Sequence, residues 1–248
     1  MKSTIIIPAR YGSSRYKGKP LAKILGREMV LRVADICSKV VENSNLFIAT
    51  DSKKIKKIVE KSNYQVIMTS KNCLTGTDRV AQASKKIQSK IFINVQGDEP
   101  TINPLDIKKI IKAKIKYPNH VICGFDKVNK LENPKSLNIP KVVINKRNEL
   151  IYISRALIPG QKNNNYNNFF KQVCIYAVNK KELSMFYSMK KKSRLEKIED
   201  IEILRFFELN SKIKMVKLNS NSVAVDEIED VVKEEKLIRK FNNDKITK

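Results

Sequence analysis

Four cations and two carboxylates stand where this chain could do chemistry. Arg10, Arg15, Lys17 and Lys19 fall in one short stretch punctuated by Gly12, Ser13, Ser14 and Gly18. Small residues let backbone N–H groups approach a ligand closely, and fixed cations hold a polyphosphate in such a turn. The pattern reads as a nucleoside triphosphate site, with a basic surface loop after an edge strand as the alternative left open. Gly-x-Gly-x-x-Gly and Gly-x-x-x-x-Gly-Lys-Ser/Thr, the common phosphate fingerprints, are both absent. The carboxylates are Asp98, in Val95-Gln96-Gly97-Asp98-Glu99-Pro100, and Asp226, which closes Val223-Ala224-Val225-Asp226. Each ends an apolar run, where ligands of an α/β sheet collect, and a carboxylate there offers Mg²⁺ one hard oxygen ligand beside substrate phosphates. An ordinary turn at Asp98 and a helix N-cap at Asp226 are the plainer readings.

The elements that must position these groups follow from periodicity. Ile5-Ile6-Ile7 suits a strand buried on both faces, which Pro8 and the glycines after it should end. Helical spacing over 28–42 leads to a strand at 46–49. A helix capped by Asp51 or Ser52 runs to 61, with a strand at 65–68. A helix from Asp78 precedes the buried run 91–95. This β-α-β-α-β-α-β order is the signature of a parallel sheet with helices on its faces. Lysines at 108–116 fall on a further helix.

Beyond Pro118 the rhythm becomes mixed. Strands are predicted at 121–125, 141–145, 150–154, 173–178, 213–216 and 223–225, with a hairpin turn at Asn145-Lys146-Arg147-Asn148. Helices are predicted at 180–189, 194–209 and 227–241. The stretch 161–168, with five asparagines and no apolar period, reads as a mobile loop. The expectation is one domain over 1–248, its nucleotide-binding half at 1–118. The half at 119–248 should lay a smaller mixed sheet and a lid over the first.

Composition narrows the function classes. With 248 residues, 42% hydrophobic, the chain can bury a substantial core, and it has no apolar stretch of about 18 residues to span a membrane. A soluble, cytoplasmic protein is expected, with no membrane partner. Cys37, Cys73, Cys123 and Cys174 are far apart, and His120 is the single histidine, so zinc and disulfide readings are poor and free thiols are expected. The formal charge of +25 raises a nucleic-acid reading. Lysine greatly outnumbers arginine, lies scattered along predicted helices and comes without tryptophan, which favours solvated lysine faces and no nucleic-acid partner.

Several segments together resemble one family. They are Ile-Ile-Pro-Ala-Arg-Tyr-Gly-Ser-Ser-Arg-x-x-Gly-Lys-Pro-Leu at 6–21, Ala-Thr-Asp at 49–51, Thr-Gly-Thr-Asp-Arg at 75–79, Asn-Val-Gln-Gly-Asp-Glu-Pro at 94–100 and Ser-Arg-Ala-x-Ile-Pro at 154–159. With Ile175-Tyr176, Leu195-Glu196, Glu199, Val225-Asp226 and Glu229-Asp230 they resemble the 3-deoxy-manno-octulosonate cytidylyltransferases, the CMP-Kdo synthetases, over nearly the whole chain. The resemblance implies a glycosyltransferase-A-like α/β fold and Mg²⁺-dependent conversion of CTP and an acidic 2-keto sugar to the CMP-sugar and pyrophosphate. Lipopolysaccharide or capsule synthesis would use that product. It implies that Arg10, Arg15 and Lys19 grip the triphosphate, with Arg10, Lys19 and Asp98 at the catalytic centre. Pro8, Ala9, Ser13, Thr75, Gly76, Arg79 and Gln96 would border the nucleotide. Asp98 and Asp226 would hold Mg²⁺, and Arg155, Gln172, Tyr176, Glu199 and Glu202 would face the sugar. A homodimer through the second half is implied too.

Departures from the family pattern concentrate at the acceptor. Gln172 stands where the family has His, Cys174 replaces Gly, Ile203 replaces Gln, and Glu227-Ile228 replaces Thr-Pro. Exchanged hydrogen-bonding groups can retune a pocket by about 1–3 kcal/mol per unmatched group. An amino or deoxy relative of Kdo, and neutral drift in a Kdo enzyme, are both compatible with these changes.

Overall fold

Ile5, Ile6 and Ile7 are fully buried in the computed structural model, which describes residues 2–12, 16–129, 132–160, 162, 169–220, 225 and 227–246. They belong to β1 (Ser3–Ala9), after which come a 3₁₀ turn at Lys19–Leu21, β2 (Lys23–Ile24), β3 (Arg27–Glu28) and α1 (Met29–Cys37). The chain continues through β4 (Leu46–Thr50), α2 (Lys53–Lys61), β5 (Gln65–Met68), α3 (Gly76–Ser84), β6 (Ile91–Val95) and α4 (Pro104–Lys116). Its second half contains β7 (Val121–Lys127), β8 (Lys141–Ile144), β9 (Leu150–Ser154), β10 (Phe170–Asn179) and α5 (Lys180–Ser188). The last elements are α6 (Arg194–Glu199), α7 (Ile203–Glu208), β11 (Ile213–Lys217) and α8 (Ile228–Ile246).

The main sheet has the order β11-β7-β10-β6-β1-β4-β5, with β6, β4 and β5 parallel to their neighbours around β1. β10 inserts antiparallel between β6 and β7, and β11 runs parallel to β7. Ile6 faces a core built with Val80 of α3, Phe186 of α5 and Phe206 of α7. Its neighbours Ile5 and Ile7 face the other core, with Val33 of α1, Val59 of α2 and Ile110 of α4. The triple isoleucine therefore feeds both layers, as alternation along a strand requires.

Several expectations need correction. β1 does not stop at Pro8. Its pairing with β6 ends at Ile6, so only the β4 flank carries a ladder beyond that point, and a residue without an N–H is tolerated there. The helix expected over 28–42 ends at Cys37. The one expected over 194–209 is two, because Asp200 adopts a left-handed conformation (φ 51°) and the Glu199 and Asp200 carbonyls accept from Arg155 instead of continuing a helix. The second half does not lay a separate sheet over the first. Its strands extend the main sheet, with the antiparallel pair β8–β9 branching from β10, and the separate two-stranded sheet is β2–β3 in the first half. The hairpin turn after β8 is present, with Asn148 at φ 55°.

The expected loop at 161–168 lies, Lys162 apart, outside the described residues. So do Val223 and Ala224 of the expected strand, and Val225 is in no strand. Of the thiols, Cys37 and Cys123 are buried, Cys73 and Cys174 half-buried, and all are free. No helix among the described residues is long and apolar enough to cross a membrane.

Candidate active site

The carboxyl ends of β1 and β6 open into a cleft of about 540 Å³, and Pro8, Ala9, Arg10, Gln96, Gly97 and Asp98 line it. This is where a parallel sheet leaves unpaired backbone and where ligands gather. Glycine is required at the junction. A Cβ on Gly97 would come within 3.1 Å of the Pro8 carbonyl oxygen, and one on Gly76 within 3.0 Å of Gln96 Oε1. The ends of β1 and β6 therefore approach through the Pro8 carbonyl, while the start of α3 lies against the Gln96 and Pro8 side chains.

Lys19 is delivered by the basic turn. Gly18, at φ 77°, donates its N–H to the Tyr11 carbonyl at 2.8 Å and starts the 3₁₀ turn that holds Lys19. Lys19 Nζ donates to Asp98 Oδ2 at 2.8 Å, with side-chain exposures of 14% and 28%. Arg10 lines the cleft and is exposed. Ser13, Arg15 and Asp226 lie outside the described residues. Val225, however, donates its backbone N–H to the Asp98 carbonyl at 2.9 Å, so the two segments expected to carry the metal-binding aspartates meet.

Thr75 caps α3, accepting from the Asp78 N–H at 3.2 Å and donating to Asp78 Oδ2 at 2.8 Å. Beneath this turn Glu202 accepts the Gly76 and Thr77 N–H groups at 2.9 Å each, together with the Thr77 hydroxyl. Burial pushes the Glu202 carboxyl up, against the pull of its Thr77 and Gly76 donors. Glu202 was expected to face the sugar. It lines the cleft, but both oxygens are committed to the first turn of α3. Glu202→Gln should cost about 1–2 kcal/mol of stability and raise the KM for nucleotide several-fold, because the amide keeps one acceptor and turns donors toward donors. Thermal unfolding and a nucleotide titration check this; wild-type values in both would refute it.

Arg79 also touches the cleft, yet its guanidinium is buried and bonded to Thr69 and, at 3.1 Å, to Asp51, bracing the ends of β4 and β5. On the opposite wall, Arg155 donates to the carbonyls of Glu199 (2.6 Å), Leu137 (2.7 Å) and Asp200 (3.0 Å). Glu199 accepts from the Ser154 hydroxyl at 2.6 Å and the Arg155 N–H at 2.8 Å. It is not among the cleft-lining residues, so its described contacts brace the loop behind the wall rather than a ligand. Gln172 donates to the Tyr176 hydroxyl at 3.0 Å, and burial drives that phenol's pKa well up. Both line the cleft.

Sequence reasoning missed two ion pairs on this wall, Lys171 with Glu132 and Lys192 with Asp200. Lys171 stands beside Gln172 in β10, but nothing in the sequence announces Glu132 as its partner. Among the described residues no group of three or more Asp, Glu, His or Cys could hold a metal. The donor set nonetheless suits Mg²⁺: Asp98 is a hard, accessible carboxylate beside a cation in a cleft that can take a polyphosphate, whose oxygens would complete the shell.

A family model described as Cytidylyltransferase matches residues 4–213. The chain is 36% identical over 239 residues to an 8-amino-3,8-dideoxy-manno-octulosonate cytidylyltransferase of Shewanella baltica, covering 94% of this chain and 97% of that one. It is 35% identical over 247 residues to a 3-deoxy-manno-octulosonate cytidylyltransferase of Protochlamydia amoebophila, covering 96% and 94%. A solved structure of a CMP:2-keto-3-deoxy-manno-octonic acid synthetase complexed with CTP superposes with a TM-score of 0.88 at 32% identity, over 97% of this chain and 99% of that one.

Proposed function

Since this chain belongs to the cytidylyltransferase family, we propose that it transfers CMP from CTP to 3-deoxy-manno-octulosonate (Kdo) or a close acid-sugar relative, releasing pyrophosphate. The observation that carries this reading is the Lys19–Asp98 pair at the meeting point of the basic turn and the β6 end. The anomeric oxygen of the sugar attacks the α-phosphorus, losing its proton to solvent, while the bond to the pyrophosphate oxygen breaks. No protein nucleophile is needed. Lys19 and Arg10 neutralise charge on the triphosphate and the departing pyrophosphate. Mg²⁺, held by Asp98 with Asp226 as the expected second carboxylate, would supply further charge neutralisation at the phosphates.

Arg155, Gln172 and Tyr176 form the acceptor wall in this reading. Incubation with CTP, Mg²⁺ and Kdo or its 8-amino analogue should release pyrophosphate. Turnover of a sugar 1-phosphate with no 2-keto acid sugar accepted would replace the reading with a pyrophosphorylase. A homodimer through the second half, implied by the family resemblance, is part of the proposal. A solution mass of one chain at working concentration would remove that part.

A further inference from the structure

We infer that Glu132 is the acceptor-selecting residue of this cleft and that it recognises an ammonium group, so the preferred acid sugar carries an amine as well as a carboxylate. This rests on the transfer reading above and deepens it. Lys171 and Glu132 face the cleft as a salt bridge, with side-chain exposures of only 8% and 15%. The second Glu132 oxygen accepts the Asn129 N–H at 2.9 Å, which fixes the carboxylate in place. Lys171 is anchored from the other side, in β10, where its neighbours Phe170 and Gln172 are in register with β7.

Other charges that line the cleft have partners of their own, Glu99 among them, which accepts the Cys174 N–H at 3.2 Å. Lys192 is paired with Asp200 at 2.6 Å, the Arg155 guanidinium donates to three carbonyls, and Glu202 holds the start of α3. Glu132 is thus a nearly dry carboxylate already binding an ammonium, that of Lys171. An acceptor's ammonium can replace it, releasing Lys171 toward the acceptor's carboxylate. The number of ion pairs does not fall. A hydroxyl in the same place gives no such exchange: either Lys171 stays and the hydroxyl gains little, or Lys171 leaves and Glu132 stays charged without a counter-ion. A site built around a charge-assisted partner discriminates strongly against the analogue lacking it.

The test compares Kdo with its 8-amino analogue, which share a skeleton, in wild type, Glu132→Gln and Lys171→Gln, with CTP affinity and circular dichroism as folding controls. Wild type should favour the amino sugar by about 10-fold or more in kcat/KM. Glu132→Gln should lower that ratio by about 10-fold or more, and Lys171→Gln, which removes the internal competitor, should raise it. Should Glu132→Gln fail to fold, Lys171→Gln decides, and a ratio that falls or stays unchanged overturns the inference. Equal use of the two sugars by wild type, or a ratio unchanged in Glu132→Gln, overturns it while leaving the transfer reading intact. Absence of turnover with both sugars in wild type would instead sink the transfer reading.

Discussion

Asp98→Asn lowers CTP-dependent pyrophosphate release by about 10²–10³-fold, the usual cost of losing one group that stabilises transition-state charge, and leaves the fold intact. The amide matches the carboxylate in shape and keeps the cleft packed, but it is a poor Mg²⁺ ligand and no longer balances Lys19. Stability should hardly change, since the Asp98 side chain is partly exposed and a pair of that kind contributes at most about 1 kcal/mol. Under the proposed reaction the effect should fall on kcat more than on the KM for the sugar, because the charge that Asp98 would manage develops at the phosphates. Steady-state rates over a Mg²⁺ titration, with thermal unfolding in parallel, give the answer. Wild-type turnover at limiting Mg²⁺ would exclude Asp98 from the metal site.

Arg205→Met destabilises the protein by about 3–5 kcal/mol, the cost of removing one partner from a buried ion pair. The Arg205 guanidinium is fully buried, with Nε and Nη2 on Glu196 at 2.6 Å each and Nη1 on Asp78 Oδ1 at 2.8 Å, above the Phe186 ring at 3.9 Å. Its loss strands two carboxylates among apolar side chains, at the joint where α6 and α7 lock onto α3. In a chain of this size that amounts to a fall in Tm of about 6–20 °C. Arg205→Lys restores the charge without the planar fork that reaches both carboxylates, so it should recover only part. Thermal and urea unfolding measure both variants. A loss below about 1 kcal/mol in the Met variant would mean that water or a neighbouring cation reaches Asp78 and Glu196.

The parallel half of the fold was legible because its signals are local. Gln65–Met68 and Ile91–Val95 fall where the apolar runs do, and of the two caps expected for α2, Asp51 or Ser52, it is Ser52 that caps it. The basic turn and Asp98 were legible too, since each sits at the end of such a run. What failed depended on partners distant in sequence. Nothing near Pro8 tells that β6 has already left that flank of β1. The family resemblance assigns Glu199 and Glu202 to the sugar, and nothing near Glu202 in the sequence tells that a backbone donor 126 residues away is bonded to it. The split between α6 and α7 was hidden for the same reason, as the carbonyls at Asp200 answer to Arg155.

The antiparallel insertion of β10 beside β6 has an evolutionary corollary. Ile175 lies in register with Val95 and Tyr176 with Asn94, so the strand bearing Gln172, Cys174 and Tyr176 is bolted by main-chain bonds to β6, which leads into Gln96 and Asp98. Neighbouring strands keep a spacing of about 4.8 Å whatever their side chains. If β10 carries the acceptor wall, as proposed, mutations along it can change acceptor choice without disturbing the placement of the residues at the end of β6. Under the proposed function, new acceptors could be explored one side chain at a time, while a slip of β10 by a single residue would turn every one of those side chains to the opposite face.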